Sequence, residues 1–164
     1  MTAADIPKIQ AIEKAYYDGY FVPDEILTNW IKNAGDNFWI IEEGEKLLGY
    51  IFTERLDGIK AIPYIHKVED NFTPTGKYIY ISEIGVLNKD FDLLQQLFEK
   101  VLESAELNTA EAIVWVTGEN EKGHDSVERK MISANDFEKF KHFDNWEYWP
   151  GKFCQDHWIY IKWL

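Results

Sequence analysis

Cysteine, long apolar runs and basic residues are all scarce in this chain. Its single cysteine, Cys154, has no intrachain disulfide partner, so a reducing, cytoplasmic setting is expected. No apolar run approaches the ~20 residues of a membrane-crossing helix. The longest, such as Ala112 to Val116 and Trp158 to Ile161, are of strand length, and no membrane span is expected. The opening Met1-Thr2-Ala3-Ala4-Asp5 lacks the positive flank and apolar core of a signal peptide. Basic residues are scarce: 17 stand against 29 acidic ones, and a formal net charge of -12 repels phosphate backbones. The basic pairs Arg129-Lys130 and Lys139 with Lys141 are interrupted by acids, so nucleic acid is not an expected partner. His66, His124, His142 and His157 show no ligand spacing among themselves or with Cys154, and no metal site is expected. Cys154 has no Cys-x-x-Cys partner and no adjacent base beyond Lys152, which makes it a structural or incidental thiol. Walker-type and Gly-x-Ser-x-Gly sequences are also missing.

What is present is a core. At 164 residues, 46% apolar and 16% aromatic, the chain suits one domain over residues 1–164 and excludes intrinsic disorder. The negative charge either steers cations such as amines or only solubilises the surface. Seven tryptophans also allow an aromatic sugar-binding platform built on Trp146, Trp149, Trp158 and Trp163, which would need several of them exposed on one face.

Hydrophobic spacing orders the elements. Asp5 is placed to cap a first helix, with Pro7 in its first turn and Ile6, Ile9 and Ile12 at helical spacing through Tyr16. Pro23-Asp24 opens a second, with Ile26, Leu27, Trp30 and Ile31 on one face and Gly35 ending it. Phe38 to Ile41 and Leu47 to Phe52 flank the turn at Glu42 to Lys46 and read as a β-hairpin. Residues 57–76 are long for a bare connection and carry Pro63, Pro74, Gly58 and Gly76, which marks a binding loop. Tyr78 to Leu87 is a strand, Leu93 to Ala105 a helix, and Ala112 to Thr117 a strand covered on both faces. A helix over 125–134 follows, then strands at Phe140 to Trp149 and Phe153 to Leu164 joined by Pro150-Gly151.

This order, together with Thr2-Ala3-Ala4-Asp5-Ile6-Pro7-Lys8-Ile9, Leu48-Gly49-Tyr50-Ile51, Ser82-Glu83-Ile84-Gly85-Val86 and Val116-Thr117-Gly118-Glu119-Asn120, resembles the GNAT superfamily of N-acetyltransferases from after its first strand. That first strand, an edge strand in the family, is not found. The resemblance implies an α/β (α+β) three-layer fold: a central mixed, mostly antiparallel sheet with helices on both faces. It also implies an acyltransferase that uses acetyl-CoA as cosubstrate and a small amine as acceptor.

By that resemblance Glu83, on the fourth family strand and facing the acceptor site, is the candidate general base; a structural, salt-bridged Glu is the other reading of the residue. Backbone groups of Val86, Leu87 and Asn88 would hold the thioester carbonyl and pantetheine. Asn120 would either touch the cofactor arm or cap a helix. The sequence departs from the family after Val86. A Gln/Arg-x-x-Gly-x-Gly/Ala loop, whose amides at a helix start bind the CoA pyrophosphate, is replaced by Asn88-Lys89-Asp90-Phe91-Asp92-Leu93-Leu94. Asp90 or Asp92 is expected to cap the helix itself, with Lys89 the nearby cation. The family's late helix end carries a Tyr where this chain has Ile132, so a leaving thiolate would need Tyr148, Tyr160 or water. A non-catalytic GNAT-like binding module that has lost the pyrophosphate site is the alternative.

Overall fold

A computed structural model describes residues 2–17, 21–33, 37–59, 73, 75–118, 126–149 and 152–164. Gly35, Asn120, the Pro150-Gly151 turn and most of the 57–76 loop lie outside them. The described elements run α1 (Ile6–Tyr16), α2 (Asp24–Asn33), β1 (Phe38–Glu43), β2 (Lys46–Leu56), β3 (Tyr78–Val86), α3 (Phe91–Leu107), β4 (Ala112–Gly118), α4 (Val127–Ala134), β5 (Glu138–Trp149) and β6 (Lys152–Trp163). A short 3-10 turn, Ala3–Asp5, leads into α1, and another, Leu87–Lys89, lies between β3 and α3.

The start of α1 differs from the expectation. The Asp5 carboxylate does not cap α1; it turns back and accepts from Thr2 N–H at 2.9 Å and from the Thr2 hydroxyl at 3.1 Å, closing the 3-10 turn ahead of the helix. A three-residue reach back satisfies two donors locally, which outcompetes the cap.

Six strands form one sheet in the order β1-β2-β3-β4-β6-β5. All neighbours are antiparallel except β3 and β4, which the long α3 crossover joins in parallel. Strand alternation then sorts the core. Ile51, Ile79, Ile81, Ile84, Val86, Ile113 and Trp115 face α3 and α4 and pack on Leu94, Leu97, Phe98, Val101, Ala105, Val127, Met131 and Ile132. Tyr50 and Phe52, one step out of phase with Ile51, face the other way and pack with Ile6, Ile9, Ile12, Leu27 and Trp30 of α1 and α2. Helices therefore cover both faces, as the three-layer expectation requires.

Two irregularities locate the site. The parallel ladder between β3 and β4 runs only from Tyr78↔Ala112 to Ile81↔Trp115, while β3 stays paired to β2 as far as Gly49↔Val86 and β4 to β6 as far as Gly118↔His157. From Ser82 onward the two central strands diverge. At the same place β3 holds a bulge: Phe52 opposes Glu83, but Thr53 opposes Ile81, which leaves Ser82 as the extra residue.

The aromatic-platform reading finds no support here. Trp30 and Trp115 are core residues, the Trp158 indole nitrogen is buried, and Trp146 lies against His157. Of the tryptophan side chains described, only Trp163 is exposed. No helix among the described residues is long and apolar enough to cross a membrane.

A candidate active site where the central strands part

Glu83 sits at the bulge with 6% of its surface exposed, on the sheet face that packs against α1. Burial, and then the nearby Glu13 carboxyl, push its pKa up to about 8. No described lysine or arginine pairs with it. The Tyr17 hydroxyl, one residue past the end of α1, touches the Glu83 carboxyl and donates to the Ile84 carbonyl at 2.6 Å. Ile84 lies beyond the last β3–β4 pair, so this hydroxyl satisfies a strand carbonyl that β4 no longer reaches.

Two further carboxyls share this face. Glu13, in the middle of α1 and fully buried, accepts from Val22 N–H at 2.8 Å and from the Tyr50 hydroxyl at 2.9 Å; burial raises its pKa to about 7. Glu54, opposite Tyr80 in the β2–β3 ladder, is also fully buried and accepts from the Ser82 hydroxyl. Its Oε1 has no hydrogen-bond partner among the described residues, and burial raises its pKa to about 7 as well. The tyrosines among them, Tyr17, Tyr50 and Tyr80, are all raised by burial and by these acids, so their hydroxyls stay protonated.

Position explains why these residues converge. On α1 the buried side is Ile6, Ile9, Glu13 and Tyr16, so Glu13 occupies a core position of an amphipathic helix. On β2 one face is Tyr50, Phe52, Glu54 and Leu56, an apolar row with one acid in it. Both are charges inserted into a hydrophobic period, a signal present in the sequence. Tyr17 carries no such signal, because it follows the last helical residue.

The candidate cofactor contacts divide. Val86 closes β3, buried and paired with Gly49. Leu87 begins the 3-10 turn, and its carbonyl accepts from Asp90 N–H at 3.2 Å. Asn88 is exposed, with φ of 58°, and Lys89 follows at 52°. Two successive non-glycine residues thus hold the left-handed conformation that glycine favours, at a cost of about 1 to 2 kcal/mol each. Asn120 lies outside the described residues. Tyr148 has no described side chain, and Tyr160 is buried on the α3/α4 face opposite Trp115.

The start of α3 is occupied from within. Asp90 Oδ1 accepts from Asp92 N–H at 2.9 Å and Leu93 N–H at 3.2 Å, the amides that an anion at a helix N-terminus would use. Lys89 extends over the Tyr16 ring, 5.5 Å from its centroid. Tyr16 in turn donates to Glu128 in the first turn of α4. It therefore bridges the turn that follows β3 and the helix that follows β4, across the mouth of the diverging strands. Filled by Asp90 in this way, the start of α3 does not suit the pyrophosphate of a CoA.

Sequence comparison finds no matching family model and no matching curated protein. Structure comparison finds many similar chains. One is GphF, a GNAT-like decarboxylase solved with isobutyryl-CoA: TM-score 0.80, 14% identity, covering 99% of this chain and 96% of that one. Another is the loading GNATL domain of CurA from Lyngbya majuscula, with TM-score 0.73, 16% identity, and 98% and 93% covered. The ribosomal-protein-S18-alanine N-acetyltransferase of Escherichia coli matches with TM-score 0.64 and 11% identity over 98% and 88%. With its diverging central strands and helices on both faces, this chain has a GNAT-like fold.

Proposed function

We propose that the chain is an acyl-CoA-dependent N-acyltransferase that moves an acetyl group from acetyl-CoA to a small amine. The observation that carries the reading is Glu83: a buried carboxyl, titrating near neutrality, at the point where β3 leaves β4. In the transfer, the amine nitrogen attacks the thioester carbonyl, the carbon–sulfur bond breaks, and Glu83 accepts the proton that the nitrogen must lose. Tyr16, hydrogen-bonded to Glu128, is the hydroxyl suited to protonate the leaving thiolate, a role that Ile132 on α4 cannot fill. Backbone groups of β3 beyond Ile81, where its ladder with β4 ends, and those of Val86 to Asn88 suit the pantetheine arm. The formal net charge of -12 favours an ammonium-bearing acceptor.

Isothermal titration with acetyl-CoA, and thiol release from it in the presence of a panel of primary amines, test the reading. Binding and turnover are expected, with turnover abolished in Glu83→Gln. No heat at millimolar acetyl-CoA ends it.

Asp90 favours a second reading, a non-catalytic GNAT-like module, because it fills the anion position at the start of α3. Turnover lost in Glu83→Gln counts against that module. Similarity to a GNAT-like decarboxylase raises proton donation by Glu83 as a further variant of the chemistry. Base and donor differ in sign: a base gains activity as pH rises through about 8, and a donor loses it.

A further inference from the structure

Glu13 has no part in the transfer described above, yet it is a fully buried acid beside the base. Both of its oxygens are engaged, one by Val22 N–H and one by the Tyr50 hydroxyl. Tyr50 opposes Gly85 in the β2–β3 ladder, one same-face step from the Phe52–Glu83 pair. Gly85 makes that approach possible. A Cβ there would lie 2.8 Å from Tyr50 Cε1 and 2.9 Å from Ile12 Cγ2, so the bare backbone lets α1 and Tyr50 settle beside Glu83.

The Tyr50 hydroxyl is thereby committed elsewhere. It donates its one proton to Glu13, whereas the Tyr17 hydroxyl lies between the Ile84 carbonyl and the Glu83 carboxyl. If Glu13 were only a tie between α1, the α1–α2 connection and β2, an uncharged acceptor would serve equally well, without the cost of burying an acid.

We propose that Glu13 is a positioning residue for Glu83, acting through Tyr50: it draws that hydroxyl away from Glu83 and sets a second carboxylate beside it. The proposal rests on Glu83 being the base of the transfer. The groups facing the pair are Tyr16 and Tyr17 from α1 and its end, Tyr50 and Glu54 from β2, and Tyr80 and Ser82 from β3, with Lys14 near Glu13. Among these Lys14 is the one cation, and it acts on Glu13, not on Glu83. The two carboxyls therefore titrate as a coupled pair in which the charge of one opposes the charge of the other.

Carbon-13 NMR titration of side-chain carboxyls in the free protein, with Glu83→Gln used to assign the Glu83 signal, reads this coupling without any substrate. In Glu13→Gln the Glu83 midpoint is expected to fall by about one pH unit or more. Tyr50→Phe, which deprives Glu13 of a donor and keeps it protonated to higher pH, is expected to move Glu83 the same way. In turnover of acetyl-CoA with an amine acceptor, the rising limb of the kcat profile should move down with that midpoint, while the amine KM holds. A Glu83 midpoint unmoved in Glu13→Gln, or in Tyr50→Phe if the first variant does not fold, overturns the proposal. A wild-type chain that titrates as described but releases no thiol ends the transferase reading instead, so the two failures are told apart.

Discussion

Replacing Glu83 by Gln should change how folding depends on pH more than it changes folding at any one pH. In the folded chain burial holds the Glu83 pKa at about 8, against 4.5 for a freely solvated Glu side chain. The folded state therefore keeps a proton that the unfolded chain has released, and wild-type stability falls as pH rises from the unfolded value toward the folded one. Below about pH 4.5 both states are protonated and the effect vanishes; above about pH 8 it reaches its limit. Integrating the linkage between pH 5 and pH 7 gives about 2 to 3 kcal/mol of stability lost by the wild type through this one group. Gln cannot titrate, so the Glu83→Gln chain should escape that part of the loss. Urea unfolding of both proteins at pH 5, 6, 7 and 8 measures it: the difference between them should swing by roughly that amount in favour of the variant as pH rises. Glu13 and Glu54 titrate in both proteins and cancel to first order, apart from the coupling between Glu13 and Glu83. A difference that stays constant across the series would refute a buried, proton-holding Glu83.

Four further outcomes are expected. Asp90→Ala should cost about 1 kcal/mol of stability through the lost cap of α3, read by thermal or urea unfolding. Asp90→Ser should keep the cap, remove the negative charge and tighten CoA binding about two- to fivefold in calorimetry, while binding of pantetheine, which lacks the pyrophosphate, stays unchanged. Gly85→Ala should cost about 1 to 3 kcal/mol, because the added methyl meets the Tyr50 ring and Ile12 within 3 Å; urea unfolding reads this too. Tyr16→Phe should lower kcat for acetyl transfer about tenfold or more with little change in the acetyl-CoA KM, the mark of a group used in the transition state.

The order of elements was legible because this sequence keeps its periods clean. Leu94, Leu97, Phe98, Val101 and Ala105 recur at helical spacing and do face the sheet from α3. Ala112 to Val116 is apolar at consecutive positions, and β4, like β3 beside it, has neighbours on both edges and core on both faces. The Asp90 cap was legible too, since a carboxylate two and three residues ahead of free amides has few other options. What escaped reading are properties of register and approach. Glu13 and Glu54 break apolar periods, but only the fold reveals that both breaks lie on the same side of the sheet as Glu83. Tyr17 matters because the strand carbonyl it reaches, at Ile84, has lost its neighbour, and a lost neighbour leaves no trace in composition. The left-handed pair Asn88 and Lys89 went unseen because neither is glycine.

Ser82 gives β3 a place where length is negotiable. The strand has one residue more than β2 can match, and the surplus is taken up at that one point. On either side of it the alternation agrees: Ile81 and Ile84 both pack toward α3, and Glu83, opposite Phe52, faces α1. Deleting Ser82 would therefore let the ladder close with Glu83 directly after Ile81 and each on its present face. What would go is the hydroxyl that donates to Glu54, leaving that buried acid without its described donor. The codon beside the candidate base is thus one whose loss spares the register and spends a hydrogen bond.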